Sequence, residues 1–194
     1  MPTTIPMFRH AAVTFAGLAL CVSTPLFASA ADEKTQTVDG QGVSFEAPAS
    51  WKQEAPQSQM RRAQLKVEPA KGDDQGAELI LFAFPGGAGT VDANVARWQQ
   101  MFSDKDGNPP KVDVKKVKGK NADVNRVEIA GRYTPMAFPG QPKKEPQDNY
   151  RLLGAIVITP DTGYFVRMVG PEKTVSAARD DFDKLIASIK VDAK

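Results

Sequence analysis

The 194-residue chain carries 25 basic and 23 acidic side chains, so its formal charge of +2 offers no general electrostatic attraction for nucleic acid. Its one histidine and one cysteine, His10 and Cys21, both lie within the first thirty residues. If that segment is removed, the rest of the chain cannot form disulfides, use thiol or histidine catalysis, or bind zinc, haem or iron–sulfur clusters through His and Cys. We therefore predict no cofactor and no metal site.

Residues 1–30 have the pattern of a secretory signal peptide. Arg9 precedes the apolar run Ala11–Leu20, and the small residues Ala28–Ala30 form a cleavage site. Removal of this segment leaves residues 31–194, the length of one ordinary domain. We expect that domain to be periplasmic or extracellular and not inserted in a membrane.

Two alternatives remain open for the N-terminal segment. An uncleaved membrane anchor is long enough to span a bilayer, although Ser23–Pro25 interrupts the apolar run. Lipidation at Cys21 is a minor alternative, because the bulky Leu20 stands where lipoprotein signals have a small residue. Translation could start at Met1 or at Met7.

The first part of the expected domain predicts short strands and a buried aromatic residue. Gly40–Gly42 separates two apolar runs and indicates a hairpin or a bent strand. Trp51 follows a proline-closed strand, and we expect it in the core. Residues 53–59 are polar and predict a loop, whereas Ala63–Val67 alternates apolar and polar and predicts a strand near the sheet edge.

A strand, a glycine-rich connection and a helix follow in succession. Leu79–Phe84 is apolar at every position, which predicts a central strand buried on both faces. Pro85–Thr90 connects it to a helix for which Thr90 is a suitable N-cap. The apolar stripe of that helix is Val91, Val95, Trp98 and Phe102.

The glycine-rich connection predicts an anion-binding site, because such a loop presents backbone N–H groups and a helix N-terminus. The residues concerned are Gly86, Gly87, Gly89 and Thr90. The loop lacks the Gly-Lys-Ser/Thr ending of a phosphate-binding loop, and Asp92 stands where a dinucleotide fingerprint has its third glycine. The alternative is a flexible connection between strand and helix.

An acidic loop and two further strands come next. Asp104–Asn108 is rich in oxygen ligands, but Pro109 and Lys115 occupy positions where an EF-hand needs glycine and glutamate, so we predict no calcium site. Val112–Lys118 and Val124–Tyr133 predict two strands joined by a turn.

Two basic features could contact a partner. The lysine run between residues 111 and 120 lacks interleaved aromatic residues, so we interpret it as a solvated sheet edge. The proline-rich segment Thr134–Asp148 has no periodicity and predicts a loop. We predict that this loop, with Lys143 and Lys144, contacts a partner.

The last part of the chain gives the clearest structural pattern. Tyr150–Thr159 predicts a central strand, Pro160–Gly163 a tight turn, and Tyr164–Val169 an antiparallel neighbour. Pro171–Ile189 has apolar residues at helical spacing and predicts an amphipathic helix.

Several of these segments resemble the PsbP-like superfamily. The resemblance rests on Phe45, Pro48 and Trp51, together with Tyr164–Pro171 and Phe182–Ile189. That superfamily includes a photosystem II subunit, Mog-type Ran-binding proteins and an uncharacterised bacterial secreted branch. The resemblance to the bacterial branch includes Met60–Lys66 and Ala93–Trp98. It implies an antiparallel sheet sandwiched between helices and a binding or accessory role, whereas no residue matches a photosystem or Ran-binding site.

The sequence thus predicts an α+β fold, an α/β/α sandwich with an antiparallel sheet. We expect a secreted, non-enzymatic binding or accessory module whose partner is another envelope or extracellular protein and not a nucleic acid. One alternative is a small-anion or ligand-binding protein that uses Gly86–Thr90. A hydrolase is a further alternative, since a Ser–Lys dyad is not excluded by the sequence.

Overall fold

The computed structural model describes residues 1–3, 34–136 and 144–193. The described residues from 34 onward belong to one compact unit, Asp32–Lys194. Almost all of the predicted signal peptide, residues 4–30, lies outside the described ranges, as does Lys143.

The described residues form eleven strands and three helices. The strands are β1 Thr35–Asp39, β2 Val43–Pro48, β3 Lys52–Glu54, β4 Arg61–Val67, β5 Ala77–Pro85, β6 Phe102–Ser103, β7 Val112–Lys118, β8 Asp123–Tyr133, β9 Gln147–Ile158, β10 Thr162–Pro171 and β11 Lys190–Val191. The helices are α1 Val91–Gln99, α2 Glu172–Ala177 and α3 Arg179–Ser188. None of these helices has the length and apolar character needed to cross a membrane.

All strand pairs are antiparallel, as the sequence predicts. The larger sheet has the order β3-β4-β5-β10-β9-β8-β6, and β7 also pairs with β8. A smaller sheet has the order β1-β2-β11. The strands predicted to be central, β5 and β9, lie in the middle of the larger sheet. Between them lies β10, the predicted antiparallel neighbour of β9, and each of the three is hydrogen-bonded on both sides.

The first face of the larger sheet is covered by the smaller sheet together with α2 and α3. The core between these layers contains Phe45 from β2, Phe182 from α3 and Leu81 from β5, all almost completely buried. Trp51 joins the same core at 4% exposure, so its prediction as a core residue is confirmed.

The second face of the larger sheet is covered by α1 over one part only. Trp98 from α1 packs beside Phe165 of β10, with ring centroids 6.2 Å apart, and lies against Gly154 of β9. A Cβ atom at Gly154 would overlap the Trp98 indole, so glycine lets the helix approach the sheet. Helix α1 has nine residues and is about 14 Å long, whereas seven neighbouring strands span about 29 Å. The helix therefore leaves much of this face without a helical cover.

The predicted α/β/α sandwich is wrong in one respect: helices alone do not cover the two faces of the sheet. The antiparallel sheet is as expected, but the described chain has only three helices, and much of the first cover is itself a sheet. The predicted helix Pro171–Ile189 is two helices, because Ala178 leaves the helical conformation at φ −84° and ψ 2°. Phe102 belongs to β6 and not to α1, and part of the predicted loop 53–59 forms β3.

A buried ionic cluster joins α2 and α3 to the first face of the sheet. At its centre, Glu128 of β8 accepts hydrogen bonds from Arg126 at 3.0 Å and from Arg179 at 2.7 Å, and it also contacts Arg151. Arg126 donates to Asp183 of α3 at 2.6 Å. Three arginines thus share one carboxylate that is 10% exposed, and the helices are fixed over the sheet by charge-assisted hydrogen bonds.

The arginines also determine the charge state of Glu128. Burial alone raises the pKa of this carboxyl, but hydrogen bonds from Arg126 and Arg179 and the charges of Arg179 and Arg151 outweigh it, so the pKa lies below its ordinary value. A lowered folded-state pKa stabilises the fold above the unfolded-state pKa, and this contribution is lost as the pH falls through the folded-state value.

We expect Glu128→Gln to lower the free energy of unfolding by about 3 kcal/mol at pH 7, because it leaves buried guanidinium groups without their shared carboxylate. The difference from wild type should shrink below about pH 4.5, the ordinary pKa of the group. Urea unfolding at pH 7 and at about pH 3.5 measures both effects. Glu68→Gln is the control, because Glu68 forms an exposed pair with Lys52 and should have little effect. Equal stability of wild type and Glu128→Gln at pH 7 would contradict the structural role of the cluster.

Candidate functional site

The part of the second face that α1 does not cover forms an open groove of about 530 Å³. It is lined by residues of β3, β4, β5, β10 and β9, by the last residue of β8 and by the segment after β8. A volume of this size is within the usual range of small-molecule sites. Its lining includes Glu54, Lys66, Glu78, Tyr133, Tyr150 and Arg167.

Arg167 is the residue that distinguishes this groove. Its Nε atom is buried without a hydrogen-bond partner, and its Nη1 atom reaches only the Sδ atom of Met101, at 3.7 Å. The guanidinium carbon lies 5.4 Å from the ring centroid of Phe82, a cation–π distance. Within the described ranges, no carboxylate forms an ion pair with Arg167. A largely buried cation therefore has most of its hydrogen-bonding capacity unused.

The strand register explains why this arginine faces the groove. Side chains of β10 alternate between the faces, so Phe165, Arg167 and Val169 share the second face. Arg167 stands opposite Ile80 of β5 and Gly154 of β9. It therefore lies where the apolar region under α1 passes into the open groove.

Burial changes the electrostatics of Arg167. It lowers the pKa of the guanidinium, because desolvation disfavours the charged form. The nearby Tyr133 and Glu78 act in the opposite direction, and Arg61 adds to the lowering. An arginine stays protonated in spite of such a shift, so the charge remains in the groove.

The acidic groups on the β3 and β4 side of the groove are already engaged. Arg61 donates to Glu78 at 3.1 Å and to the side-chain oxygen of Gln64 at 2.7 Å. Gln64, which is 2% exposed, in turn donates to Glu54 at 3.1 Å. This hydrogen-bonded chain holds Glu78 to Arg61 and leaves Arg167 without its own acid.

Two tyrosines form the aromatic wall of the groove. The rings of Tyr133 and Tyr150 are stacked, with centroids 5.8 Å apart and planes 7° apart. Tyr150 donates its hydroxyl hydrogen to Gln75 at 3.1 Å, whereas the Tyr133 hydroxyl has no hydrogen-bond partner among the described residues. Burial raises the pKa of both tyrosines, so both are neutral phenols near pH 7. The wall thus offers ring surface and one unused hydroxyl.

The predicted anion site at Gly86–Thr90 lies at the connection of β5 and α1. Gly86, Gly87 and Gly89 all have left-handed φ angles, which accounts for glycine at these positions. Thr90 caps α1 by accepting a hydrogen bond from the Ala93 N–H at 3.2 Å. The side chain of Asn94 donates to the Ala88 and Thr90 carbonyls. These contacts account for the loop as a strand-to-helix connection, and anion binding there stays a prediction.

The predicted partner loop borders the Arg167 groove. Residues 137–143 of the segment Thr134–Asp148, including Lys143, lie outside the described ranges. Pro135, Lys144 and Glu145 line the groove from its outer side, and the end of the segment is already part of β9. The predicted partner loop therefore borders this groove, whereas none of the residues predicted to bind an anion, Gly86–Thr90, lines it.

Sequence reasoning did not identify Arg167, Tyr133, Tyr150 or Glu78 as site residues. One signal was present: Arg167 is a charged residue whose neighbours at alternate positions, Phe165 and Val169, are apolar, in a strand predicted to pair with a central strand. The described residues contain no group of three His, Cys, Asp or Glu side chains placed to bind a metal ion.

Comparisons of the whole fold with solved structures identify its class. The solution structure of the PsbP protein CyanoP from Synechocystis is similar at a TM-score of 0.52 and 11% identity, over 84% of this chain and 96% of that chain. The chain therefore has a PsbP-like fold.

Two more distant structures were also found. One is LpqN, involved in cell envelope biogenesis of Mycobacterium tuberculosis, with a TM-score of 0.48 and 9% identity over 82% of this chain and 91% of that chain. The other is a Pseudomonas aeruginosa protein of unknown function, with a TM-score of 0.45 and 9% identity over 82% and 99% of the two chains. Neither a protein-family model nor a curated protein sequence matches the chain.

The absence of an ion pair at Arg167 predicts an unusual mutational result. Arg167→Met should leave the free energy of unfolding unchanged or higher, or lower it by no more than about 1 kcal/mol, the size of the cation–π interaction with Phe82. The matched change Arg151→Met removes an arginine that contacts Glu128 and Glu172, and it should lower the free energy by about 3 kcal/mol. Urea unfolding at pH 7 compares the two variants. A large decrease for Arg167→Met would show that this arginine is structural.

Proposed function

We propose that this protein is a secreted, non-enzymatic binding module, periplasmic or extracellular, and that the Arg167 groove is its ligand-binding site. The observation that carries this proposal is that Arg167 forms no ion pair with a carboxylate of the described residues. A buried guanidinium without a carboxylate is unfavourable for folding, because desolvation is not compensated by an ion pair. An anionic group of a ligand would supply the missing partner.

Binding explains the groove better than catalysis does. Acid–base catalysis needs a group whose pKa lies near the working pH. The pKa values of the two groove tyrosines are raised, which moves them further from neutrality. Arg167 is a permanent cation, suited to holding a charge in place. The groups around the groove thus favour recognition over proton transfer.

A protein partner is the second candidate, and the position of the loop 134–148 favours it. Its residues Pro135, Lys144 and Glu145 stand at the rim of the groove, so a partner could contact the rim while one of its acidic groups enters. This is the accessory role expected from the sequence, with another envelope or extracellular protein as the partner.

The proposal predicts that the protein carries a ligand whose retention depends on Arg167. The protein is expressed from its full sequence in the cells that normally make it and is purified under native conditions from their envelope and medium. Native mass spectrometry then measures the mass of the protein with any bound species. We expect wild type to carry a bound species that is released on denaturation, and Arg167→Met to lack it.

Arg62→Met is the matched control. Arg62 also has a buried Nε atom without a partner, but it donates to Gln41 and does not line the groove. It should retain the bound species. Equal occupancy of wild type and Arg167→Met would overturn the proposal, and a stoichiometric protein in place of a small molecule would favour the second candidate.

A further inference from the structure

We infer that the ligand of the Arg167 groove is a monocarboxylate attached to a planar aromatic body. This inference rests on the proposed binding function and adds the chemical class of the ligand. Three properties of the groove carry it: the unused donors, the balance of charge and the stacked tyrosines.

The unused donors come from two strands that line the groove. Arg167 of β10 offers its guanidinium, and Tyr133 of β8 offers a hydroxyl that has no other partner in the described part of the chain. Both side chains line the same groove. A guanidinium binds a carboxylate through two N–H groups, which gives geometric specificity as well as charge. A carboxylate between Arg167 and Tyr133 would use both donors.

The charge balance favours one negative charge over two. The groove is lined by three cationic side chains, Lys66, Lys144 and Arg167, and by three carboxylates, Glu54, Glu78 and Glu145. Arg61 is not a lining residue, but it pairs with Glu78 and neutralises that carboxylate. Together these side chains leave one positive charge in excess. A monoanion neutralises that charge, whereas a dianionic phosphate would meet repulsion from the carboxylates.

The walls favour an aromatic body for the rest of the ligand. The rings of Tyr133 and Tyr150 stack on each other and line the groove beside Arg167, and Ile80 and Val169 add apolar lining. Aromatic groups prefer stacked or edge-to-face contact with such rings and gain energy beyond simple burial. The groove volume of about 530 Å³ accommodates a bicyclic ring with its carboxylate.

The test is a titration with 2-naphthoate and three comparators, using isothermal calorimetry and amide chemical shifts. 2-Naphthamide keeps the ring without the charge, 2-naphthyl phosphate carries a dianion, and acetate lacks the ring. We expect 2-naphthoate to bind at least about tenfold more tightly than each comparator. The amide lacks the hydrogen bonds to a charged group, which contribute about 1.5–3 kcal/mol, acetate lacks the aromatic contact, and the phosphate carries a second charge into a groove with one positive charge in excess. The shifted amides should lie in β8 and β10.

Variants separate the two parts of the inference. Arg167→Met should weaken 2-naphthoate binding at least about tenfold, and Arg167→Lys, which keeps the charge but not the planar fork, should weaken it less. Tyr133→Leu should reduce the preference for 2-naphthoate over acetate. Arg62→Met should bind as wild type does. Unchanged melting temperatures for the variants exclude loss of fold as the cause.

Each contrary result has a definite meaning. Equal binding of 2-naphthamide would show that the ligand needs no carboxylate. Tighter binding of 2-naphthyl phosphate would show that the groove prefers a dianion. Equal binding of acetate would show that the ligand needs no aromatic ring. Shifts confined to Gly86–Thr90 would move the site to the glycine-rich loop. If no probe binds while the natively purified protein still carries an Arg167-dependent ligand, this inference fails and the proposed function stands.

Discussion

The burial of the central strands on both faces is the constraint on which the rest of the structure depends. Leu79 and Leu81 of β5 face one side and Ile80 faces the other, and all three are almost fully buried. Such strands need a cover on each side of the sheet. The two covers are unequal, because a smaller sheet and two helices lie on one face while the nine-residue α1 lies on the other. The groove is the part of the second face that this short helix does not reach.

Arginines on the covered face of the sheet pair with carboxylates, whereas Arg167 on the open face pairs with none in the described part of the chain. On the covered face, Arg126, Arg151 and Arg179 all contact Glu128, and further carboxylates of α2 and α3 complete the cluster. There, the arginines fix helices to the sheet. On the open face, Arg167 has an aromatic ring and a thioether as neighbours. A buried charge that does not serve the fold is characteristic of positions that serve binding, since functional sites often reduce stability.

Local patterns account for most of the fold that the sequence predicted. The apolar runs of β5 and β9 and the helical spacing of apolar residues in α1 and α3 are properties of single segments. Such patterns predict a strand or a helix without knowledge of which segments pack together. The break at Ala178 was missed because the apolar stripe continues across it, and β3 was missed because three polar residues carry no alternation. The Arg167 groove could not be predicted, because the pairing of Glu78 with Arg61 depends on strand register and on side chains distant in sequence.

The fold by itself does not specify the ligand. A PsbP-like sheet with a short covering helix would leave the same face open whatever residues lay on it. The fold therefore determines where the groove lies, and the side chains determine its chemistry. In this chain the chemistry comes from three features of the groove. Arg167 supplies the charge, Tyr133 and Tyr150 supply the ring surface, and the bond between Arg61 and Glu78 keeps the nearest acid from neutralising Arg167. A chain with this fold but with an acid beside Arg167 would hold a structural ion pair there, and the guanidinium would no longer lack a carboxylate partner.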